Sequence, residues 1–144
     1  MAASYSAFLS TKYYSPVFNT ALFDGPFRIY FAQAYEGTAL KIYHLLQVQH
    51  LAVWDHFKKW SEKSKKHVFI LIYPTGDDVA LAFEADTVVV NGILHSAPWE
   101  EGRLMALSNP HGEIEFASFY QQIIKELESL KNSDCQLQVI SANL

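Results

Sequence analysis

Leu45–Tyr73, LLQVQHLAVWDHFKKWSEKSKKHVFILIY, decides how the rest of the chain is read. Leu46, His50, Val53, Phe57 and Trp60 recur at steps of four, three, four and three, which sets them on one side of a 3.6-residue helix. Leu45, Val48, Ala52 and Trp54 widen that stripe, and Gln47, Asp55, Lys58, Lys59 and Glu62 supply the polar remainder. The spacing predicts one long helix lying on a sheet. Five of the chain's 11 Lys and Arg residues, Lys58, Lys59, Lys63, Lys65 and Lys66, crowd its last turns, where cations favour the carbonyl end of the helix dipole. Val68 to Tyr73 is then an apolar run of strand length, closed by the turn signal Pro74-Thr75-Gly76-Asp77.

Toward the N-terminus, Ala39–Leu46 fits two patterns. Leu40, Tyr43 and Leu46 match a helix, whereas Lys41, Tyr43 and Leu45 share a strand face; a strand is favoured because a helix from Thr38 to Lys66 is long for this chain. Phe27–Ala34 alternates apolar and polar positions as a half-buried strand does. Residues 1–26 space Tyr5, Phe8, Tyr13, Tyr14, Phe18 and Phe23 among Ser, Thr and Asn without clean periodicity, and are read as an aromatic arm.

Toward the C-terminus, Val79–Phe83 reads as the return strand of a hairpin, Val88–Val90 as a further strand, and Ser96–Gly102, SAPWEEG, as a loop. Leu104–Leu107 and Glu113–Phe116 suggest a short hairpin around Asn109-Pro110-His111-Gly112. Ala117–Leu130 carries Tyr120, Ile123, Ile124 and Leu127 on one helical face, and residues 132–144 are read as a tail or an edge strand. The expectation is one α+β domain over 1–144, two-layered. A mainly antiparallel sheet carries two amphipathic helices on one face, in the order β-β-α-β-β-β-(β-β)-α.

Bulk properties bound the function. A net charge of −4 weighs against a general nucleic-acid binder, because phosphate contacts need excess cation. A single cysteine, Cys135, excludes an intramolecular disulfide and a cysteine-cluster zinc site and fits a reducing compartment. The first residues lack the basic region of a secretory signal, and no apolar run reaches the roughly 20 residues of a membrane helix, so a cytoplasmic location is expected.

Catalytic and metal patterns are weak. His44, His50 and His56 are spaced by six, which turns each roughly 240° from the last on a helix, so they do not converge as an i, i+4 pair does. Glu113 and Glu115 could share a strand face, but such pairs ordinarily keep a surface solvated. There is no Gly-x-Ser-x-Gly elbow, and the six glycines are too dispersed for a phosphate loop. No cofactor or metal is expected. The leading expectation is therefore an interaction or adaptor domain that binds a protein partner or itself, as a homodimer, through Tyr13, Tyr14, Phe18 and Trp99 or an exposed sheet edge. Lys58, Lys59, Lys63, Lys65 and Lys66 form a second candidate surface, for an anionic partner. The alternative is a small-molecule binding domain or enzyme with a pocket between sheet and helix, bordered by His50, His95 or Glu115; whether His111 lines it stays open.

Overall fold

Every residue from Val68 to Tyr73 is buried, so the strand they form must be covered on both faces. The computed structural model describes residues 13–83, 88–90, 94–99 and 102–143, with side chains for 13–82, 96 and 102–132. Its elements are β1 (Thr20–Asp24), β2 (Phe27–Phe31), a 3₁₀ turn (Gln33–Tyr35), α1 (Glu36–Gln49), α2 (Leu51–Ser64), β3 (His67–Tyr73), α3 (Gly76–Phe83), β4 (Val88–Val90), β5 (Leu94–Trp99), β6 (Gly102–Ser108) and α4 (Glu113–Asn143). The chain is an α+β domain with one mixed sheet in the order β1-β2-β3-β6-β5-β4. β2, β3 and β6 run parallel in the middle, and antiparallel β1 and β5–β4 flank them.

Three of the five pairings are antiparallel as expected, and the correction concerns the centre, where β2, β3 and β6 are parallel. The β2-to-β3 connection is a crossover through two helices, and such a connection returns the chain in the same direction. Period-2 alternation then divides the strands between two cores. Phe27, Ile29, Phe31, Val68, Ile70, Ile72, Met105 and Leu107 face α1, α2 and α4. Tyr30, Phe69, Leu71, Tyr73, Leu104 and Ala106 face the opposite way, where Tyr13, Phe18 and Val79 of α3 cover them.

Ala39–Leu46 is helix rather than strand: Ala39, Ile42 and Leu46 are buried at i, i+3 and i+7. The length objection is met by a break at His50, whose φ of −128° and ψ of 50° are non-helical and whose carbonyl accepts the Trp54 N–H at 3.0 Å. The single helix read through Leu45–Lys66 is therefore two, yet Leu46, Val53 and Phe57 still point into one core. His50 Nδ1 meets the Tyr120 hydroxyl of α4 at 2.7 Å, which joins the break to the third helix.

Val79–Phe83 is also helix. Thr75 Oγ1 accepts the Asp78 N–H at 3.2 Å and donates to Asp78 Oδ2 at 2.9 Å, so the presumed hairpin turn is a helix cap. Of the expected loop, Ser96–Trp99 ends β5 and Gly102 begins β6, with Trp99 paired to Gly102; residues 100–101 lie outside the described residues. Glu113–Phe116 is the first turn of α4, and 136–140 continues that helix, so neither is a strand. Within the arm, Thr20–Asp24 is a strand; Tyr5 and Phe8 lie outside the described residues. Among the described residues no helix is long and apolar enough to cross a membrane.

Two substitutions probe this frame. A Cβ on Gly102, at φ 144°, would lie 1.8 Å from the His67 carbonyl oxygen on β3, so Gly102→Ala should cost about 3 kcal/mol or more in urea unfolding. Tyr120→Phe leaves His50 without its hydroxyl partner and should cost about 1 kcal/mol by the same measurement.

Candidate functional site

The carboxyl end of β3 is where the fold opens. The chain leaves β2 and β6 toward the face holding α1, α2 and α4, but leaves β3 toward α3 on the other face. Adjacent parallel strands whose connections part in this way leave a crevice beyond their ends. Near that end, on the face of α1 and α4, a cavity of about 310 Å³ is lined by Gly37, Thr38 and Lys41 of α1 and by Pro110, Gly112, Glu113 and Phe116 at the start of α4.

Its walls are fixed by three contacts. The Asn109 N–H donates to the Tyr73 carbonyl at 2.8 Å, tying the β6–α4 loop to the end of β3. Thr38 Oγ1 donates to Asn109 Oδ1 at 2.9 Å, joining α1 to the same loop. Lys41 Nζ stands 4.4 Å from the centroid of the Phe116 ring, a cation–π contact that holds the ammonium over buried aromatic surface. Gly112 takes φ 89°, a conformation that favours glycine, and accepts the Phe116 N–H at 3.0 Å as α4 begins. A Cβ on either Gly37 or Gly112 would meet nothing within 4 Å, so open space stands over both.

Two helix N-termini, of α1 and α4, border this space and contribute partial positive charge, although at α1 the Glu36 N–H already donates to the Gln33 carbonyl. Acidic first-turn residues temper that field: Glu36 on α1, and Glu113 and Glu115 on α4. Glu115 Oε1 accepts the His111 N–H at 3.0 Å, so it caps its own loop. Chemically, the crevice offers a fixed ammonium, a carboxylate at the rim and a hydroxyl committed to an amide oxygen. Such a set can bind a polar ligand, and the Thr38 hydroxyl donates to Asn109 Oδ1.

A second cavity, of about 330 Å³, lies at the opposite end of β3 between Gly25, Lys58, Ser61, Glu62, Lys65 and His67. Arg28 donates from one guanidinium nitrogen to His67 Nε2 at 2.9 Å and from the other to the Gly25 and Phe27 carbonyls at 3.3 and 3.1 Å. Since Nε2 accepts, the neutral ring carries its proton on Nδ1. Burial, then the adjacent Arg28 charge, pushes the His67 pKa down to about 4. This cavity adjoins the carbonyl end of α2, where Lys65 closes the helix at φ 64° by donating its N–H to the Ser61 carbonyl at 2.8 Å.

The structure gathers Tyr13, Tyr14 and Phe18 in one cluster and brings two of the five lysines to one cavity. Tyr13 and Phe18 are buried over the second face of the sheet: Phe18 packs edge-on to Tyr73 at 5.1 Å, and the Tyr73 hydroxyl donates to the Tyr13 carbonyl. Tyr14 is half-buried against Phe18. Of the five lysines, Lys58 and Lys65 line the second cavity, while Lys59, Lys63 and Lys66 are exposed outside it. The side chains of Trp99 and His95 lie outside the described residues. His50 is engaged with Tyr120, and His111 is exposed beside the first crevice. Among the described residues no group of three or more His, Cys, Asp or Glu side chains is placed to hold a metal.

Thr38, Lys41 and Asn109 were missed. Thr38 and Asn109 looked like turn residues, and their 71-residue separation hides the contact from any local pattern. No protein-family model matches this sequence, no curated protein matches it, and no solved structure matches it.

The His67 environment predicts a pH dependence. Its folded pKa of about 4 lies below the ordinary 6.5, so the unfolded chain binds more protons between those values. Stability should fall as pH drops from about 6.5 to about 4, by on the order of 1 kcal/mol for a half-exposed ring. His67→Gln should flatten that part of the stability–pH curve.

Proposed function

We propose that this chain is a small-ligand binding domain whose ligand seats in the crevice at the carboxyl end of β3. The observation that carries the reading is the cavity between the first turns of α1 and α4, with Lys41 held on its wall over Phe116. Lys41 is exposed and has no carboxylate within ion-pair distance among the described residues. An anionic group placed against it would gain a charged hydrogen bond and the first-turn amides of α4. Glu113 on the rim opposes dense negative charge and accepts from a donor. The chemistry fitting both is a small monoanion bearing a hydroxyl or amino group, such as a hydroxy- or amino-carboxylate.

The pocket expected between sheet and helix has no counterpart in this reading. That interface is filled by Phe27, Ile29, Ile70, Ile42, Leu46 and Ile123, each 1% exposed or less. Binding rather than turnover is proposed, because the polar groups of the crevice are engaged with one another or stand alone on its rim.

Thermal unfolding and calorimetric titration with glycolate, glycine and inorganic phosphate test the reading. Glycolate or glycine should stabilise the protein more than phosphate does, by about 2.7 kcal/mol at a hundredfold excess over its Kd. Lys41→Ala should abolish the shift while leaving the unliganded protein folded. A shift that survives Lys41→Ala, or no shift with any of the three, overturns the proposal.

A further inference from the structure

Among the described residues β1 is an edge strand, and Asp24 is the one charge it carries against pairing. All five of its residues, Thr20 to Asp24, pair in unbroken register with Phe31 to Phe27 of β2, so it contains no bulge. Its sequence, TALFD, has no proline, lysine or glycine. Among the described residues β1 pairs with β2 alone, and it stands last in the strand order. Ala21 and Asp24 are exposed, and Phe23 is 46% exposed although it packs on Tyr30 at 5.6 Å and under the Arg28 guanidinium at 4.9 Å. Val17, just before the strand, is 40% exposed.

The geometry points to a second copy of this chain as the occupant of that edge, with two β1 strands pairing antiparallel about a two-fold axis at Leu22. This inference goes beyond the ligand-binding reading and does not depend on it. The strand is self-complementary in that register alone. Thr20 falls opposite Asp24 of the other copy, a hydroxyl beside a carboxylate. Ala21 falls opposite Phe23, a small side chain beside a large one, and the two Phe23 rings become diagonal neighbours about 7–8 Å apart, within aromatic reach. On the other face Leu22 meets its own copy, and Leu22 already packs on the main core, so the dyad extends that core across the interface. The two Asp24 side chains end roughly 14 Å apart, beyond a Debye length of about 10 Å. Parallel pairing in register would instead set Asp24 beside Asp24, which is unfavourable. An isologous contact of this kind closes at two copies and joins the two sheets into one.

The experiment is sedimentation velocity on the full chain over a wide concentration range, beside Ala21→Lys and a chain carrying Leu22→Cys with Cys135→Ser. The wild-type chain should shift from monomer to dimer with concentration. Ala21→Lys, which sets a charge opposite the neighbouring Phe23 at an exposed position, should weaken the dimer at least tenfold with an unchanged circular dichroism spectrum. Under mild oxidation Leu22→Cys should give a cross-linked dimer, because the two-fold register brings position 22 against itself and a shifted antiparallel register does not. A wild-type chain that stays monomeric overturns the inference, as does a dimer that ignores Ala21→Lys or fails to cross-link through position 22. A wild-type monomer that dimerises only when residues 1–12 are deleted assigns the edge to the chain's own N-terminus and overturns it too.

Discussion

The constraint on which this structure depends is that β3 is apolar on both faces. Val68, Ile70 and Ile72 point one way, Phe69, Leu71 and Tyr73 the other, and each is 2% exposed or less. Fully burying an aliphatic or aromatic side chain contributes roughly 1.5–3 kcal/mol, so a strand built this way is stable only with a layer on each side. Three helices supply one layer. The other is assembled from Tyr13, Phe18 and the short helix α3, which buries Val79 while leaving Leu81 77% exposed. Tyr13 and Phe18 are therefore structural cover for a sheet face that, among the described residues, no long helix reaches.

From that constraint the position of the crevice follows. A strand buried on both faces takes parallel neighbours, parallel neighbours require crossovers, and covering both faces sends those crossovers to opposite sides. The chain must part somewhere, and it parts at Tyr73, where the first turn of α1, carrying Thr38, and the loop carrying Asn109 are tied together by hydrogen bonds. Away from this end, the polar groups serve packing. Arg103 donates to Ser96 at 2.9 Å and to Glu126 at 3.2 Å, and Ser96 donates to Glu126 at 2.7 Å, a closed set that joins β5, β6 and α4. Such a network costs little while every member is paired.

Much of the helical and strand content was legible because it rests on local periodicity. The stripe Leu46, Val53, Phe57, the face Tyr120, Ile123, Ile124, Leu127 and the run Val68–Tyr73 are all buried as their spacing predicts. Elements whose periodicity was too short to separate strand from helix were misread. Val79–Phe83 is five residues, and the signal that decides it is the Thr75–Asp78 cap, a helix start that was taken for a hairpin turn. Ala39–Leu46 was read as strand to avoid a long helix, and the break at His50 removes that objection without any proline or glycine to announce it.

The sequence by itself determined which faces are apolar, where the chain must turn and that the composition suits an α+β domain, because these depend on neighbours within a few residues. Tertiary structure decided the parallel pairing of β2, β3 and β6, the two-sided cover of β3, the meeting of Lys58 and Lys65 on one cavity and that of Thr38 with Asn109. Those outcomes depend on which distant segments satisfy the same buried surface, and a periodicity of 2 or 3.6 records that a face is apolar without recording what will cover it.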